Sequence, residues 1–266
     1  MKRSIWPIAL TIAGSDSGGG AGIQADLKTF AALRVHGTTA ITCLTAQNPA
    51  AVIGVQPATP RLVRLQLEAL FAELPPAAAK TGMLFNAAII AEVAAFWKRA
   101  SRPPLVVDPV MIATSGASLL QQDAIELLDK RLLPLAALLT PNLDEAAALT
   151  GFDLAEPEDL RRAARELSRR YRTSVLVKGG HLHGLKEAVD VFHDHRSGAT
   201  HLLTAPRVQG VSTHGTGCTY SAAITAGLAR GWDTLKAVIA AKNLITRAIA
   251  NSVQTARHQV LNVFAR

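Results

Sequence analysis

Cysteine is scarce in this chain of 266 residues, which contains only Cys43 and Cys218. No Cys-x-x-Cys pair and no cysteine and histidine spacing typical of zinc ligands occurs, so the sequence predicts neither a disulfide framework nor a zinc site. Two isolated cysteines suit a reducing compartment, and we therefore expect a cytoplasmic protein. The apolar segment Ile5–Ala13 loosely resembles a signal peptide, but Pro7 interrupts it and a buried first strand is the better interpretation.

Aromatic residues make up only 5% of the chain, and no apolar run approaches the roughly 18 residues needed to span a membrane. The net charge of +8 permits nucleic-acid binding, but its densest clusters, Arg161–Arg165 and Arg169–Arg172, interleave with acidic residues on a predicted helix. A solvated helix face accounts for this pattern, because no basic stripe carries stacking aromatic residues. We therefore expect no nucleic-acid partner and no membrane partner, and the excess positive charge would also suit a polyphosphate substrate.

Hydrophobic residues form 49% of the sequence, which is enough to bury a large core. Alanine-rich stretches with helical periodicity alternate with short Val, Ile and Leu runs, a pattern that predicts βα units around a mostly parallel sheet. No internal repeat or linker interrupts this alternation. The sequence thus predicts an α/β fold in which residues 1–266 form a single domain.

Periodicity also places individual elements. Strands are predicted at 8–13, 38–45, 77–84, 105–111, 136–140 and 173–178, with an edge hairpin formed by 188–192 and 201–203. Helices are predicted at 61–73, 121–131, 220–230 and 234–253.

Two glycines, Gly215 and Gly217, separate a β-branched lead-in from an apolar segment with helical periodicity. The pattern predicts a glycine-bearing turn that opens a helix. The N–H groups of a first helical turn and the positive end of the helix dipole favour an anion, and glycine lets a phosphate approach the backbone. Taken alone, the same pattern also fits an ordinary tight turn before a packed helix.

A second glycine-rich loop, Gly14–Gly22, follows the first predicted strand and precedes an amphipathic helix. Such a loop can fold closely over a ligand, although its spacing matches neither a Walker A loop nor a dinucleotide-binding fingerprint. Asp26 lies one helical turn past Gly22, and this spacing leaves open whether it faces the ligand of the loop or solvent.

Polar side chains follow other predicted strands, where open α/β sheets bind ligands. Gln47 can donate and accept hydrogen bonds at once, which suits the edge of a heteroaromatic ring, but it can also cap a turn before Pro49. Met83 ends the next strand and is more often a core residue than a ligand contact.

Acidic and basic side chains mark the later strand ends. Asp108 either binds a divalent cation or its water shell, or caps local backbone. Asn142 and Glu145 fit a capping box, and equally a magnesium site, since Mg²⁺ prefers oxygen ligands and bridges to phosphates. Lys178 would supply a cation that neutralises nucleotide phosphates.

Seven motifs occur here in the same order as in the hydroxymethylpyrimidine/phosphomethylpyrimidine kinases of thiamine biosynthesis, which the sequence resembles from about Leu10 to Asn251. They are Ala13–Phe30, Thr45–Asn48, Lys80–Leu84, Val107–Met111, Thr140–Asn142 with Glu145, Lys178–His181 and Thr213–Cys218. The resemblance implies a ribokinase-like fold, a three-layer α/β/α arrangement with a mainly parallel central sheet.

The resemblance also implies an activity: with ATP and Mg²⁺ as cofactors, phosphorylation of 4-amino-5-hydroxymethyl-2-methylpyrimidine and then of its monophosphate. The family positions that line the pyrimidine pocket correspond to Gly14, Asp26, Gln47, Met83, Val110 and Cys218. Those on the nucleotide side correspond to Asn142, Lys178, Thr213, His214, Gly215 and Gly217, with Asp108 and Glu145 toward the metal. The catalytic set is Lys178, Cys218 and the anion hole of Gly215, Thr216 and Gly217, and the family analogy implies a homodimer.

Sugar kinases of this fold carry an aspartate base where this chain and the pyrimidine kinases have Cys218. A thiol at a helix N-terminus is expected to have a lowered pKa and to accept the hydroxyl proton, unless it only shapes the pocket. The tail Ala256–Arg266 lacks glycines common in the family, which leaves the second phosphorylation open. Two alternatives to a pyrimidine kinase are a pyridoxal kinase of the same family and a non-catalytic pyrimidine or nucleotide binder.

Overall fold

The computed structural model describes residues 5–99, 101–111, 122–180, 182, 184–208 and 214–265. Its strands are β1 (Ile8–Asp16), β2 (His36–Asn48), β3 (Ala51–Pro57), β4 (Ala78–Thr81), β5 (Leu105–Val107), β6 (Leu138–Leu139), β7 (Ser174–Gly179), β8 (Glu187–His193), β9 (Thr200–Pro206), β10 (Val253–Thr255) and β11 (His258–Val260). Its α-helices are α1 (Gly22–Ala32), α2 (Pro60–Glu73), α3 (Ala87–Trp97), α4 (Gln122–Leu127), α5 (Leu143–Thr150), α6 (Pro157–Tyr171), α7 (Thr216–Ala229) and α8 (Thr234–Ala250).

Nine strands of the described chain form one sheet in the order β3-β2-β1-β4-β5-β6-β7-β8-β9. The six strands from β2 to β7 in this order are parallel, and β3 and β8 run antiparallel to their inner neighbours. Strand β1 lies between β2 and β4, so the direction of winding reverses there. Open α/β sheets bind ligands beyond the carboxyl ends of the strands at such a reversal point.

Alternate strand residues pack into different helix layers, as the period of two in a strand requires. Leu10 and Ile12 join the cluster beneath α2 to α6, whereas Ala9 packs against α1 and α7. Leu176 faces α7 and α8, while Val177 next to it faces the opposite layer. The predicted three-layer α/β/α fold with a mainly parallel sheet is therefore confirmed.

Most predicted elements are present with shifted ends. Strand β1 continues through the first glycine of its loop because Ser15 and Asp16 still pair with Leu44 and Thr45 of β2. The helix predicted at 121–131 begins outside the described residues; α4 ends at Leu127 and a π-helical turn follows. The helix predicted to reach residue 253 ends at Ala250, and the residues beyond it form the β10–β11 hairpin.

Three elements were not predicted: β3, α3 and the β10–β11 hairpin. Helix α3 contains six buried residues in eleven. Its apolar residues occur on all sides of the helix, so its sequence shows no clear amphipathic pattern. Strand β3 is exposed along most of its length and pairs only with β2, which leaves no burial pattern in its sequence.

The basic clusters lie on α6, as predicted, and acidic residues one turn away pair with them. Arg161, Arg162 and Arg169 contact acidic residues at a spacing of three. The pattern is that of a solvated helix face. Within the part of the chain that the structure covers, no helix combines the length and apolarity needed to cross a bilayer.

A row of buried charges crosses the sheet beneath α1, α7 and α8. The charge row consists, in spatial order, of Asp26, Lys80, Asp108, Lys178, Asp190 and Lys242. Signs alternate along it, and its three contacts are 2.7 Å (Asp26 to Lys80), 2.8 Å (Asp108 to Lys178) and 2.7 Å (Asp190 to Lys242). A buried charge is costly unless paired, so the alternation is what allows these groups to lie inside.

Candidate active site

The carboxyl ends of β1, β4 and β5 meet the N-terminus of α7 at one edge of the sheet. A Cβ atom built on Gly215 would lie 1.8 Å from the carbonyl oxygen of Gly20, so the turn before α7 touches the glycine-rich loop. A Cβ atom on Gly217 would lie 3.3 Å from Nζ of Lys178 and 3.8 Å from Oδ2 of Asp108. Both predicted glycine sites and the strand-end charges therefore share one cleft.

Asp16 organises the glycine-rich loop. Its carboxylate accepts hydrogen bonds from the N–H groups of Gly18 (2.8 Å), Gly20 (3.1 Å) and Ala21 (2.8 Å), and Oδ2 lies 3.3 Å from Nε2 of His214. Burial opposes ionisation, but His214 and these N–H groups hold the pKa of Asp16 below its usual value. Asp16 was not predicted as a site residue; its signal was the Asp-Ser-Gly sequence, in which an aspartate carboxylate can accept from the N–H two residues on and so close a turn.

The turn predicted at Gly215 is confirmed as a backbone conformation. Gly215 has φ of 79° and caps α7, whose first described helical bond runs from the N–H of Thr219 to the Gly215 carbonyl oxygen at 2.9 Å. Thr216 and Gly217 form the first turn of α7, where backbone N–H groups point outward along the helix axis. Anion binding there stays a prediction, and Thr213 lies outside the described residues.

Asp108 and Lys178 form the centre of the cleft, with a 2.8 Å contact between Oδ1 and Nζ. The hydroxyl groups of Thr140 and Ser221 donate to the same carboxylate at 3.3 Å and 3.1 Å. These partners come from β7, α7 and the end of β6, so within the described residues side chains that are distant in sequence hold the Asp108 carboxylate. Burial would lower the pKa of Lys178, but the charges of Asp108 and Glu145 raise it, and the lysine stays cationic.

Asn142 and Glu145 form the capping box of α5. The Asn142 side chain accepts from the N–H of Glu145 at 2.9 Å, and Glu145 Oε2 accepts from the N–H of Asn142 at 2.9 Å. Glu145 Oε1 also accepts from the N–H of Met111 at 3.2 Å, next to Val110, which has an unusual φ of 46° for a β-branched residue. Burial raises the pKa of Glu145 to about 7.

The acidic residues fit magnesium held mainly by water and phosphate. Among the residues described, no group of three or more His, Cys, Asp or Glu side chains could enclose a metal ion. Mg²⁺ commonly keeps several waters and takes only one or two protein carboxylates beside substrate phosphates. Asp108 and Glu145, whose charges influence one another, offer that smaller donor set.

Gly14, Met83 and Gln47 lie around the glycine-rich loop. A Cβ atom on Gly14 would lie 2.7 Å from Sγ of Cys43 and 3.8 Å from Sδ of Met83, so only glycine fits there. The Ser17 hydroxyl donates a hydrogen bond to the carbonyl oxygen of Gln47 at 2.7 Å and accepts one from the N–H of Gln47 at 2.8 Å. The turn after Gln47 is capped by Asn48, not by the Gln47 side chain, so the capping alternative is wrong.

Asp26 does not face solvent, and that alternative is wrong. It is completely buried, accepts a 2.6 Å hydrogen bond from Thr11 and pairs with Lys80. Burial alone would lower the pKa of Lys80, yet the nearby carboxylates raise it. Lys80 was not predicted as a site residue, although a lysine within the buried strand β4 indicates a buried partner of opposite charge.

The expected lowering of the Cys218 pKa is also wrong. Burial raises the pKa of this thiol to about 11, and the charges of Asp26 and Asp108 add to the rise although Lys80 opposes them. Cys218 is therefore a protonated thiol at neutral pH and not a ready proton acceptor.

The sequence pattern of the family described as phosphomethylpyrimidine kinase matches residues 16–262. The chain belongs to the phosphomethylpyrimidine kinase family. The match covers the cleft from Asp16 to Cys218 and continues to the β10–β11 hairpin. It confirms the family expected from the seven motifs, and with it the expectation of a phosphotransferase.

Individual relatives agree with this assignment. The chain is 48% identical over 253 residues to a hydroxymethylpyrimidine/phosphomethylpyrimidine kinase of Synechococcus elongatus, covering 95% of each protein. It is 47% identical over 240 residues to the thiamine biosynthesis bifunctional protein ThiED of Geobacter sulfurreducens, covering 90% of this chain but only 48% of that protein. Among solved structures, an ADP complex of Bacillus subtilis pyridoxal kinase superposes with a TM-score of 0.89, at 37% identity and 98% coverage of both chains.

Two glycines with the same backbone conformation allow a test of the loop contact. Gly215 and Gly231 both have φ of 79°, but a Cβ atom on Gly231 would meet nothing within 4 Å. We expect Gly231→Ala to lose only about 1 kcal/mol of stability from backbone strain. Gly215→Ala must also push the glycine-rich loop away, so we expect it to lose about 100-fold in kcat/KM as well.

The measurements are urea unfolding and steady-state kinetics of both variants. Equal activity in the two variants would show that the contact between Gly215 and Gly20 has no part in the site.

Proposed function

We propose that this protein uses Mg·ATP to phosphorylate the hydroxymethyl group of 4-amino-5-hydroxymethyl-2-methylpyrimidine and then the resulting monophosphate. The observation that carries the proposal is the placement of Gly217, at the N-terminus of α7, against the Asp108–Lys178 pair. Backbone N–H groups, a cation and a carboxylate are there brought to one point of the cleft. Phosphoryl transfer needs this combination, since the protein mainly positions the reactants and stabilises spreading negative charge.

The nucleotide side follows from the same residues. We assign the first-turn N–H groups of α7 to the transferring phosphoryl group, together with Lys178, and His214 to the adjoining phosphates. Asn142 would border the nucleotide at the start of α5. Asp108 and Glu145 would hold Mg²⁺ through their oxygens and its water, and the bound ion would neutralise phosphate charge.

The acceptor side lies under the glycine-rich loop. We assign Gly14, Gln47, Met83 and Val110 to the walls of the pyrimidine pocket, with the Gln47 amide pairing with the ring edge. Asp26 would lie at the base of this pocket and influence the acceptor through its charge. Each oxygen of its carboxylate already accepts a hydrogen bond, one from Lys80 and the other from Thr11.

Cys218 is better suited to shaping the pocket than to accepting a proton. Its thiol has a pKa of about 11, which leaves almost no thiolate at neutral pH. A loose phosphoryl-transfer transition state places little demand on a base, because the acceptor oxygen forms its new bond late. We therefore propose that Cys218 contacts the acceptor at the start of α7 and that catalysis proceeds without its deprotonation.

Pyridoxal is the second candidate acceptor. The structural similarity to Bacillus subtilis pyridoxal kinase favours it, and its ring carries a comparable hydroxymethyl group. Ring selectivity depends on the shape of the pocket walls.

We propose a cytoplasmic homodimer, in which a second copy of this chain covers the hairpin formed by β2 and β3. Leu44, Val52, Ile53 and Val55 on β2 and β3 are 56%, 47%, 80% and 37% exposed. Strand β3 is also an edge of the sheet, and exposed apolar edges favour association with another chain. A cytoplasmic location supplies ATP, and both cysteines are free thiols.

The function is tested by ATP consumption with mass spectrometry of the products, offering the hydroxymethylpyrimidine, its monophosphate and pyridoxal separately with Mg²⁺. We expect turnover of both pyrimidines. Turnover of the first alone would assign loss of the second step to the unusual tail, and turnover of pyridoxal alone would replace the proposed substrate. No turnover of any of the three would contradict the proposal.

The role of Cys218 is tested by Cys218→Ala, with Lys178→Met as the comparison. Removing a pocket contact is expected to lower kcat by less than about tenfold, whereas loss of a general base costs about 10²–10⁴-fold. Lys178→Met should lose about 10²–10³-fold, as expected for a group that stabilises transition-state charge. A loss as large in Cys218→Ala as in Lys178→Met would restore the thiol to the proton-transfer step.

The dimer is tested by light scattering after size-exclusion chromatography. We expect twice the chain mass for the wild type and a monomer for Ile53→Lys, because a buried lysine would lack a partner in the interface. Ile239→Lys is the control, since Ile239 is an exposed apolar residue of α8, 42% accessible, far from the hairpin in the fold. A monomeric wild type, or an Ile53→Lys variant that stays dimeric, would contradict this interface.

A further inference from the structure

One ion pair of the charge row lies outside the cleft and has no part in the mechanism above. Lys242, in the middle of α8, contacts Oδ2 of Asp190 at 2.7 Å and donates to the Ala188 carbonyl oxygen at 3.0 Å. Asp190 is 3% exposed and Lys242 is 6% exposed. A lysine is rarely buried between a helix and a sheet, because its charge loses the surrounding water. A pair kept at this cost indicates a role in the protein.

Asp190 lies directly opposite Lys178 in the sheet. The two residues are paired in the antiparallel register of β7 and β8, so both side chains project from the same face, with Cβ atoms about 5 Å apart. Asp108, the residue that Lys178 contacts, directly follows β5, about 10 Å away across two strand spacings. The Lys178 side chain therefore extends across β6 to contact Asp108, although the carboxylate of Asp190 lies directly beside Lys178 in the sheet.

Asp190 also fixes the backbone next to Lys178. Its Oδ1 accepts a hydrogen bond from the N–H of Gly179 at 3.0 Å. Gly179 is packed closely, since a Cβ atom there would lie 2.3 Å from the Val189 carbonyl oxygen. The end of β7 is thus held in place by the same carboxylate whose second oxygen belongs to Lys242.

We propose that Lys242 is a positioning residue: by binding Asp190, it leaves Lys178 for Asp108 and for the phosphates of Mg·ATP. The inference rests on the proposed function, because it concerns the nucleotide side of the same cleft. Without Lys242, Asp190 is an uncompensated buried carboxylate whose nearest cation is Lys178. The lysine then turns from Asp108 toward its neighbour, and both the phosphate contact and the charge balance of Asp108 are lost.

A second ionisable group that the structure describes near Asp190 cannot replace the charge of Lys242. Tyr220 of α7 packs on the same face, and burial together with the charge of Asp190 raises its pKa well above the usual value. A neutral phenol offers no countercharge. Lys242 is the cation that the structure places on Asp190 from this side.

Three variants separate positioning from structural support. Lys242→Met removes the charge and keeps the length of the side chain, Asp190→Asn removes the carboxylate charge and keeps an oxygen for Gly179, and the third variant combines both. Each is measured for Mg·ATP affinity by calorimetry, for kcat, for KM of the acceptor and for urea unfolding. Lys242→Arg, which keeps the cation, is the control and should bind Mg·ATP like the wild type.

We expect Lys242→Met to weaken Mg·ATP binding by about tenfold or more, the range for loss of a hydrogen bond to a charged group, with the acceptor KM unchanged. Asp190→Asn should keep near-normal affinity even where it is less stable, because no carboxylate then competes for Lys178. The double variant should recover to within about threefold of the wild type.

Other outcomes overturn the proposal. Lys242→Met with wild-type affinity for Mg·ATP, or a double variant as impaired as Lys242→Met, would reduce the pair to a structural tie between α8 and β8. If Lys242→Met does not fold, Lys242→Gln, which is likewise uncharged and keeps a polar end, replaces it alone and in the double variant, and the same outcomes decide. A wild type that binds no Mg·ATP would instead overturn the proposed function, and this inference with it.

Discussion

The contact between Asp108 and Lys178 is the interaction on which the cleft depends. It joins β5 to β7 across the two-residue strand β6, and the hydroxyl groups of Thr140 and Ser221 connect the same carboxylate to the end of β6 and to α7. Because both charges are largely buried, neither can be moved without leaving the other uncompensated. Through Ser221, the same carboxylate also holds α7, the helix whose first turn we propose to bind the phosphates.

Much of the fold and the location of the site could be predicted from the sequence. The runs ending at Asp108 and Lys178 are short and apolar, and parallel strands place such ends at one edge of the sheet, so the proximity of these two residues follows from the pattern alone. The sequence did not predict which side chains pair with one another in the cleft. The alternation of side chains along a strand carries no information about the order of the strands in the sheet. Lys80 was missed because its partner Asp26 is distant in sequence, on α1, whereas Asp16 was missed although three of its partners are N–H groups of its own loop.

Burial explains the predictions that were wrong. Burial raises the pKa of the Cys218 thiol, and together with the charges of Asp26 and Asp108 it outweighs the opposing charge of Lys80, so the lowering expected at a helix N-terminus is not found. Glu145 shows a related effect: one carboxyl group caps α5, holds the N–H of Met111 and has a pKa raised to about 7. Its bond to Met111 holds the backbone beside Val110, whose φ of 46° is unfavourable for a β-branched side chain.

The close approach of Gly215 to Gly20 makes two loops into one mechanical unit. With no space for even a methyl group between them, the turn before α7 cannot shift toward the glycine-rich loop without displacing it. Asp16 reinforces the unit, since it binds the backbone of one loop and the imidazole of His214 from the other. In the proposed mechanism, opening the glycine-rich loop over the acceptor would therefore also move the turn assigned to the phosphates, so that the two products would leave together and not independently.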